Sequence, residues 1–187
     1  MQRGLIPEQA QASVDATGLE SRHISPYFLR RKGRTKRITP FPRLAVLCEH
    51  RSHTFPAALG RAGPGNESPL LPPLVRQATA RVSIHTLYAD SAYESEAHHR
   101  LCREELGIVR TVIPINDRGR PWAEPSTPYR LQMKREFPQQ EAGQRWQVES
   151  AISQHKRRLG DCLSARTDLS RQAESYVRVL THNLMIL

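Results

Sequence analysis

The chain has 187 residues and carries 28 Lys and Arg against 18 Asp and Glu, which gives a formal net charge of +10. Its length fits one domain of ordinary size, and its sequence contains neither an apolar run of the roughly 20 residues that a membrane span requires nor the apolar segment of a secretory signal. A strongly basic balance favours a polyanionic partner, most often nucleic acid.

Three cysteines, Cys48, Cys102 and Cys162, lie far apart along the chain. An odd number of widely separated cysteines predicts reduced thiols, and hence a cytoplasmic protein, rather than a disulfide framework.

The order of predicted elements is that of a mixed α/β protein. Apolar runs predict strands around 13–19, 41–50, 53–63, 82–90 and 108–115. Helical spacing and capping residues predict helices over 70–80, 95–107, 143–159 and from about 170 to the end. Four prolines between 116 and 142 predict an irregular insertion there.

Some apolar and histidine side chains lack an evident chemical role. In the last helix a stripe of apolar residues is predicted to face the core: Ala173, Tyr176, Val177, Leu180 and Leu184. Trp146 and the tail over 180–187 are also predicted to be core. His98 and His99 are adjacent on a helix and are predicted to be solvated.

The positive charge is concentrated near the start of the chain. Residues 21–48 hold eight cations and no acid, and the densest part, 30–37, is predicted to be a hairpin or loop edge. Such a segment is a candidate for contacts with a phosphate backbone.

Two aspartates follow apolar, strand-like runs. Asp15 stands in the sequence SVDATG and Asp90 in LYADSAY. Ligands usually bind where the strands of α/β sheets end, and two neighbouring carboxylates suit Mg²⁺. The alternative for either residue is a structural one, in which the aspartate caps the next helix or turn.

A third element is helical and places Arg145, Glu149 and Lys156 on one face. This spacing is compatible with a surface ion pair between residues four apart. Such a pair is the commonest outcome of this spacing, and the alternative is a carboxylate that completes a metal site between two cations. The spacing alone does not decide between them.

Taken together, these motifs resemble DDE transposases of bacterial insertion sequences, whose signature reads Tyr-x2-Arg-x3-Glu-x6-Lys. Arg145, Glu149 and Lys156 match it in type and spacing, while residue 142, where the signature has Tyr, is Ala. VDATGLE and LYADSAYES resemble the family's first and second aspartate motifs. GPGNESPLLPPL is similar to its Asn-Asp-x-Pro segment, with Glu67 in place of the more usual Asp.

The resemblance implies a ribonuclease H-like α/β fold, in which helices flank a mixed sheet, over residues 13–187 after an N-terminal stub, 1–12. It implies catalytic roles for Asp15, Asp90 and Glu149, which would bind two Mg²⁺ ions, with Mn²⁺ as a possible substitute. Because such transposases usually carry an N-terminal domain that recognises the element's ends, we expect a catalytic portion that lacks this domain.

The implied reaction is Mg²⁺-dependent DNA cleavage at 3′ ends followed by strand transfer. The implied partners are transposon ends, target DNA and further copies of the chain in a homo-oligomer. Arg145 and Lys156 would contact phosphates near the scissile bond. The basic segment would follow the DNA backbone through Arg30, Arg31, Lys32, Lys36 and Arg37.

Two other interpretations remain open at this point. One is a ribonuclease H-like nuclease that cuts without strand transfer, because both reactions use the same metal chemistry. The other is a truncated, catalytically inactive remnant that only binds DNA through its charge.

Overall fold

The computed structural model describes residues 7–21, 42–63, 65–117, 119 and 122–187. Its strands are β1 (Ala10–Gly18), β2 (Glu20–Ser21), β3 (Pro42–Glu49), β4 (Ala57–Ala62), β5 (Ile84–Tyr88), β6 (Arg110–Val112) and β7 (Cys162–Leu163). Its α-helices are α1 (Leu71–Thr79), α2 (Glu96–Arg100), α3 (Pro128–Arg135), α4 (Gln139–Ala142), α5 (Trp146–Leu159) and α6 (Asp168–Ile186).

Five strands form one mixed sheet in the order β4-β3-β1-β5-β6. β3 runs antiparallel to both of its neighbours, whereas β1, β5 and β6 are parallel to one another. Strands β2 and β7 form a separate, short parallel pair. The predicted fold class, an α/β mixed sheet flanked by helices, is confirmed.

Both faces of the sheet are buried, as the alternation along β3 shows. Ala45 and Leu47 join the core formed with α1, whereas Leu44, Val46 and Cys48 join the core formed with α5 and α6. Because successive side chains of a strand point to opposite faces, a continuous apolar run is what a strand covered on both sides requires.

The segment predicted to be irregular contains two short helices, α3 and α4. The start of α3 is attached to α2, because the Glu96 carboxylate accepts the backbone N–H groups of Tyr129 and Arg130. At the other end of the chain, β1 begins at Ala10, inside the stretch that the sequence suggested was a stub.

The prediction of which face of α6 is buried is wrong. Its apolar stripe points outward, with Val177, Leu180 and Leu184 each about 60% exposed, while the opposite face, with Val179 and His182, is buried. Strand β4 is at the edge of the sheet, so some backbone groups of this strand and of the loop before it find no partner within the described sheet. Polar side chains of α6 face inward and bind them. Asn183 binds both backbone groups of Phe55, for example.

Three other side chains also differ from their predictions. Trp146 is 53% exposed at the start of α5, where it is not part of the core. His98 and His99 are buried rather than solvated, because each has a polar partner inside the fold. His98 donates to the carbonyl of Tyr93, and His99 contacts the hydroxyl of Thr111 at 2.6 Å.

Within the part of the chain that the structure describes, no helix combines the length and the apolar character that crossing a membrane requires.

Candidate active site

The pairing of β1 with β5 places two acids side by side. Ser13 on β1 is paired with Tyr88, the last residue of β5. Asp15 and Asp90 each lie two residues further along the chain, so they occupy corresponding positions beyond the paired segment. Asp15 is not at the end of its own strand, because β1 continues to Gly18 against β3.

Each aspartate has one oxygen fixed by the backbone. Oδ1 of Asp15 accepts the N–H of Ala16 at 2.8 Å. Oδ1 of Asp90 accepts the N–H of Ala92 at 3.2 Å and the hydroxyl of Ser91 at 3.0 Å. Asp90 therefore does cap the following 3₁₀ turn, as the structural alternative proposed, but it uses only one of its oxygens for this.

The other oxygens face Arg145, which lies in a 3₁₀ turn directly before α5. Its guanidinium nitrogens lie 3.7 Å from Oδ2 of Asp15 and 3.8 Å from Oδ2 of Asp90. They also lie 2.7 Å from Oε1 of Glu149 in the first turn of α5. The turn and α5 pack against β1, so three acids from three separate segments surround one cation.

The partial burial of Asp15 affects its acidity. Burial raises the pKa of Asp15 above its ordinary value, because the charged carboxylate loses hydration. The Ala16 N–H and the Arg145 guanidinium oppose this rise in pKa, whereas the charges of Glu67 and Glu149 add to it. A second cation near Asp15 would stabilise its ionised form.

The chemistry of these donors fits a divalent metal. Asp15, Asp90 and Glu149 offer hard carboxylate oxygens, the ligands that Mg²⁺ prefers, and all three are already directed at one positive group. As they stand, no three His, Cys, Asp or Glu side chains among the described residues are spaced to hold one ion. The positive group between the carboxylates is Arg145.

Among the predicted DNA contacts, the structure describes only Arg145 and Lys156. Lys156 is partly exposed on α5, about two turns beyond Glu149, and forms no ion pair within the described residues. The contacts predicted in the basic segment lie outside the described residues: Arg30, Arg31, Lys32, Lys36 and Arg37.

Two further residues belong to this region, and sequence reasoning gave them no role. Glu67, which the sequence singled out only as a departure from a motif, pairs with Arg43 at 3.5 Å and raises the pKa of Asp15. Tyr93, in the 3₁₀ turn capped by Asp90, is fully buried. The sequence feature that could have pointed to Tyr93 is its position three residues after Asp90.

No curated protein matches the chain. Among solved structures, the catalytic core domain of BIV integrase is similar at 17% identity, with 91% of this chain and 81% of that chain covered and a TM-score of 0.46. The family described as "Transposase DDE domain" matches residues 8–184, nearly the whole chain. The chain therefore belongs to the family of transposase DDE domains.

Proposed function

We propose that this chain is the catalytic domain of a bacterial insertion-sequence transposase, which cleaves DNA at 3′ ends and joins them to target DNA. Family membership supports action on DNA. The observation that carries the proposal is the convergence of Asp15, Asp90 and Glu149 on a single cation.

In this proposal Asp15, Asp90 and Glu149 hold Mg²⁺, with Mn²⁺ as a substitute. When bound, the metal supplies Lewis acidity for attack of water or a 3′-hydroxyl on a phosphodiester and for departure of the leaving oxygen. The chain itself orients the ligands. Backbone N–H groups fix Oδ1 of both aspartates, and the N-terminal end of α5 favours the negative charge of Glu149.

Arg145 and Lys156 bind phosphates around the scissile bond. Arg145 lies about one turn before Glu149, and about two turns of α5 separate Glu149 from Lys156, roughly 10 Å along the helix axis. The basic segment with Arg30, Arg31, Lys32, Lys36 and Arg37 extends this contact along the DNA. The proposal includes a homo-oligomer that holds transposon ends and target together, and a cytoplasmic location.

A metal-dependent nicking assay tests the enzymatic part. The purified chain is incubated with DNA and Mg²⁺ or Mn²⁺, beside Glu149→Gln and a matched control, Glu104→Gln. Glu104 pairs with Arg100 four residues away, as Glu149 does with Arg145, but on another element. Nicking by the parent and the control, with loss in Glu149→Gln, supports the proposal. Intact DNA binding without cleavage by the parent indicates the inactive remnant instead.

Strand transfer is tested separately with a pre-cleaved duplex that carries a free 3′-hydroxyl and with a target plasmid. Joined products support a transposase. Nicked target without joined products indicates a nuclease that only hydrolyses DNA.

A further inference from the structure

The hydroxyl of Tyr93 is buried and unpaired. Tyr93 is 0% exposed, three residues after Asp90, and belongs to the core cluster that also contains Ala12 and Val14 of β1. Within the described residues its hydroxyl has no hydrogen-bond partner. A buried polar group without a partner is destabilising, and native proteins rarely keep one without a use for it.

The surroundings of this hydroxyl are acidic. Burial raises the pKa of Tyr93, and the charges of Glu67, Asp15 and Asp90 raise it further, in that order of size. Three carboxylates, from three segments of the chain, therefore act on the phenol. Ionised carboxylates only accept hydrogen bonds, so the phenol can serve any of them only as a donor.

Glu67 is placed to be the first acceptor. The 3₁₀ turn that follows it, Ser68–Leu70, packs against the turn that contains Tyr93. The Glu67 side chain is 28% exposed and forms an ion pair with Arg43 at 3.5 Å. Glu67 therefore pairs with Arg43, and the turn that follows it packs against the turn of the buried phenol.

We propose that Tyr93 and Glu67 are positioning residues of the metal site: with a divalent cation held by the carboxylates, the Tyr93 hydroxyl would donate a hydrogen bond to Glu67 and fix the orientation of this acid. The assignment rests on the proposed function, because it gives a role in the metal site to a hydroxyl that has no partner among the described residues. A hydroxyl that donates to a carboxylate forms one of the stronger hydrogen bonds in proteins.

This assignment predicts an unusual pair of effects. Tyr93→Phe keeps the ring in the core and removes only the unpaired hydroxyl, so the metal-free protein should melt at the same temperature or a higher one. The same change removes a donor from the loaded site, so Mn²⁺ should bind about tenfold more weakly, the equivalent of one such hydrogen bond. A hydroxyl with a purely structural role would not give both results.

The experiment measures thermal unfolding without metal and Mn²⁺ affinity by calorimetric titration of the full chain. The matched control is Tyr88→Phe, whose hydroxyl donates to Gln11 at 3.2 Å on the same sheet. That change should lower the melting temperature and leave Mn²⁺ affinity unaltered. Glu67→Gln, a change at a partly exposed side chain, should weaken Mn²⁺ binding, and adding Tyr93→Phe to it should weaken binding little further.

A parent protein that binds no Mn²⁺ contradicts the proposed function and the assignment with it. If the parent binds Mn²⁺ and Tyr93→Phe binds it equally well, only the assignment is overturned. Full additivity of Tyr93→Phe and Glu67→Gln also overturns the assignment alone.

Discussion

Nη2 of Arg145 lies 2.7 Å from Oε1 of Glu149, one helical turn away at the start of α5. Because the same guanidinium also faces Asp15 and Asp90, it offsets the mutual repulsion of three acids. A divalent cation and this guanidinium cannot occupy the same position between the carboxylates. We therefore expect metal binding to release Arg145, which then becomes available for a DNA phosphate.

Replacement of Arg145 by Gln should strengthen Mn²⁺ binding and weaken DNA binding. The three ion pairs are partly exposed and together contribute roughly 1 kcal/mol, which a competing Mn²⁺ ion must overcome, so Mn²⁺ affinity should rise about fivefold at low salt. Calorimetry measures the first effect and DNA titration the second. Arg100→Gln, which breaks the Arg100–Glu104 pair, should change neither. Weaker Mn²⁺ binding by Arg145→Gln would contradict this prediction and would show that the guanidinium favours metal binding rather than competing with it.

Replacement of Lys156 by Ala should weaken DNA binding to a similar extent for all sequences. Its charge has no acidic partner within the described residues, so it is free to contact phosphate. Loss of one phosphate contact reduces the slope of log affinity against log salt by about 1. Lys134→Ala is the control, because Lys134 is paired with Asp117 at 2.7 Å. Equal effects of the two changes would show that the position of Lys156 is unimportant.

The free energy of unfolding should fall with acidification. Burial lowers the pKa of His50, His99 and His155 to about 4, from an ordinary value of 6.5. The folded state keeps these rings neutral, so unfolding takes up protons between pH 6.5 and 4. Their stabilising contribution is complete above pH 6.5 and is lost as pH falls toward 4. Each histidine contributes a slope of about 1.4 kcal/mol per pH unit in that window.

Urea unfolding at several pH values measures this slope. His155→Leu should make it shallower by the share of one histidine, because both ring nitrogens of His155 are buried without a partner in the described part of the chain. An unchanged slope in this variant would assign the acid sensitivity to other groups.

Asn183→Ala should destabilise the fold by about 1–3 kcal/mol. Its side chain accepts the N–H of Phe55 at 2.8 Å and donates to the carbonyl of Phe55 at 3.0 Å, which attaches α6 to the segment before β4. Loss of the amide leaves both backbone groups unpaired. Asn66→Ala, which removes an exposed bond to the N–H of Ser68, is the control and should cost less. Chemical denaturation measures both, and equal losses would contradict the importance of this attachment.

The sheet could be predicted from sequence because each strand carries its own apolar run and the runs follow a mixed α/β order. Asp15 and Asp90 could be named because each follows an apolar run within a recognisable motif, and Glu149 because its spacing from Arg145 and Lys156 matches a signature. The orientation of α6 could not be predicted, because its inward face is set by backbone groups of Phe55 and Gly60, more than a hundred residues away in the chain. The unpaired hydroxyl of Tyr93 could not be predicted either, because a sequence does not show which buried polar groups lack a hydrogen bond.

The backbone attachment of the two aspartates has a consequence for the usual carboxylate-to-amide substitutions. Asparagine has one acceptor and one donor group where aspartate has two acceptors. At Asp15 the N–H of Ala16 demands the acceptor, so the amide nitrogen would be turned toward Arg145, donor against donor. Such a variant reverses the polarity of the atom facing the site instead of only removing its charge. Among the described contacts Glu149 has no backbone attachment of this kind, so glutamine there is the cleaner neutral substitute.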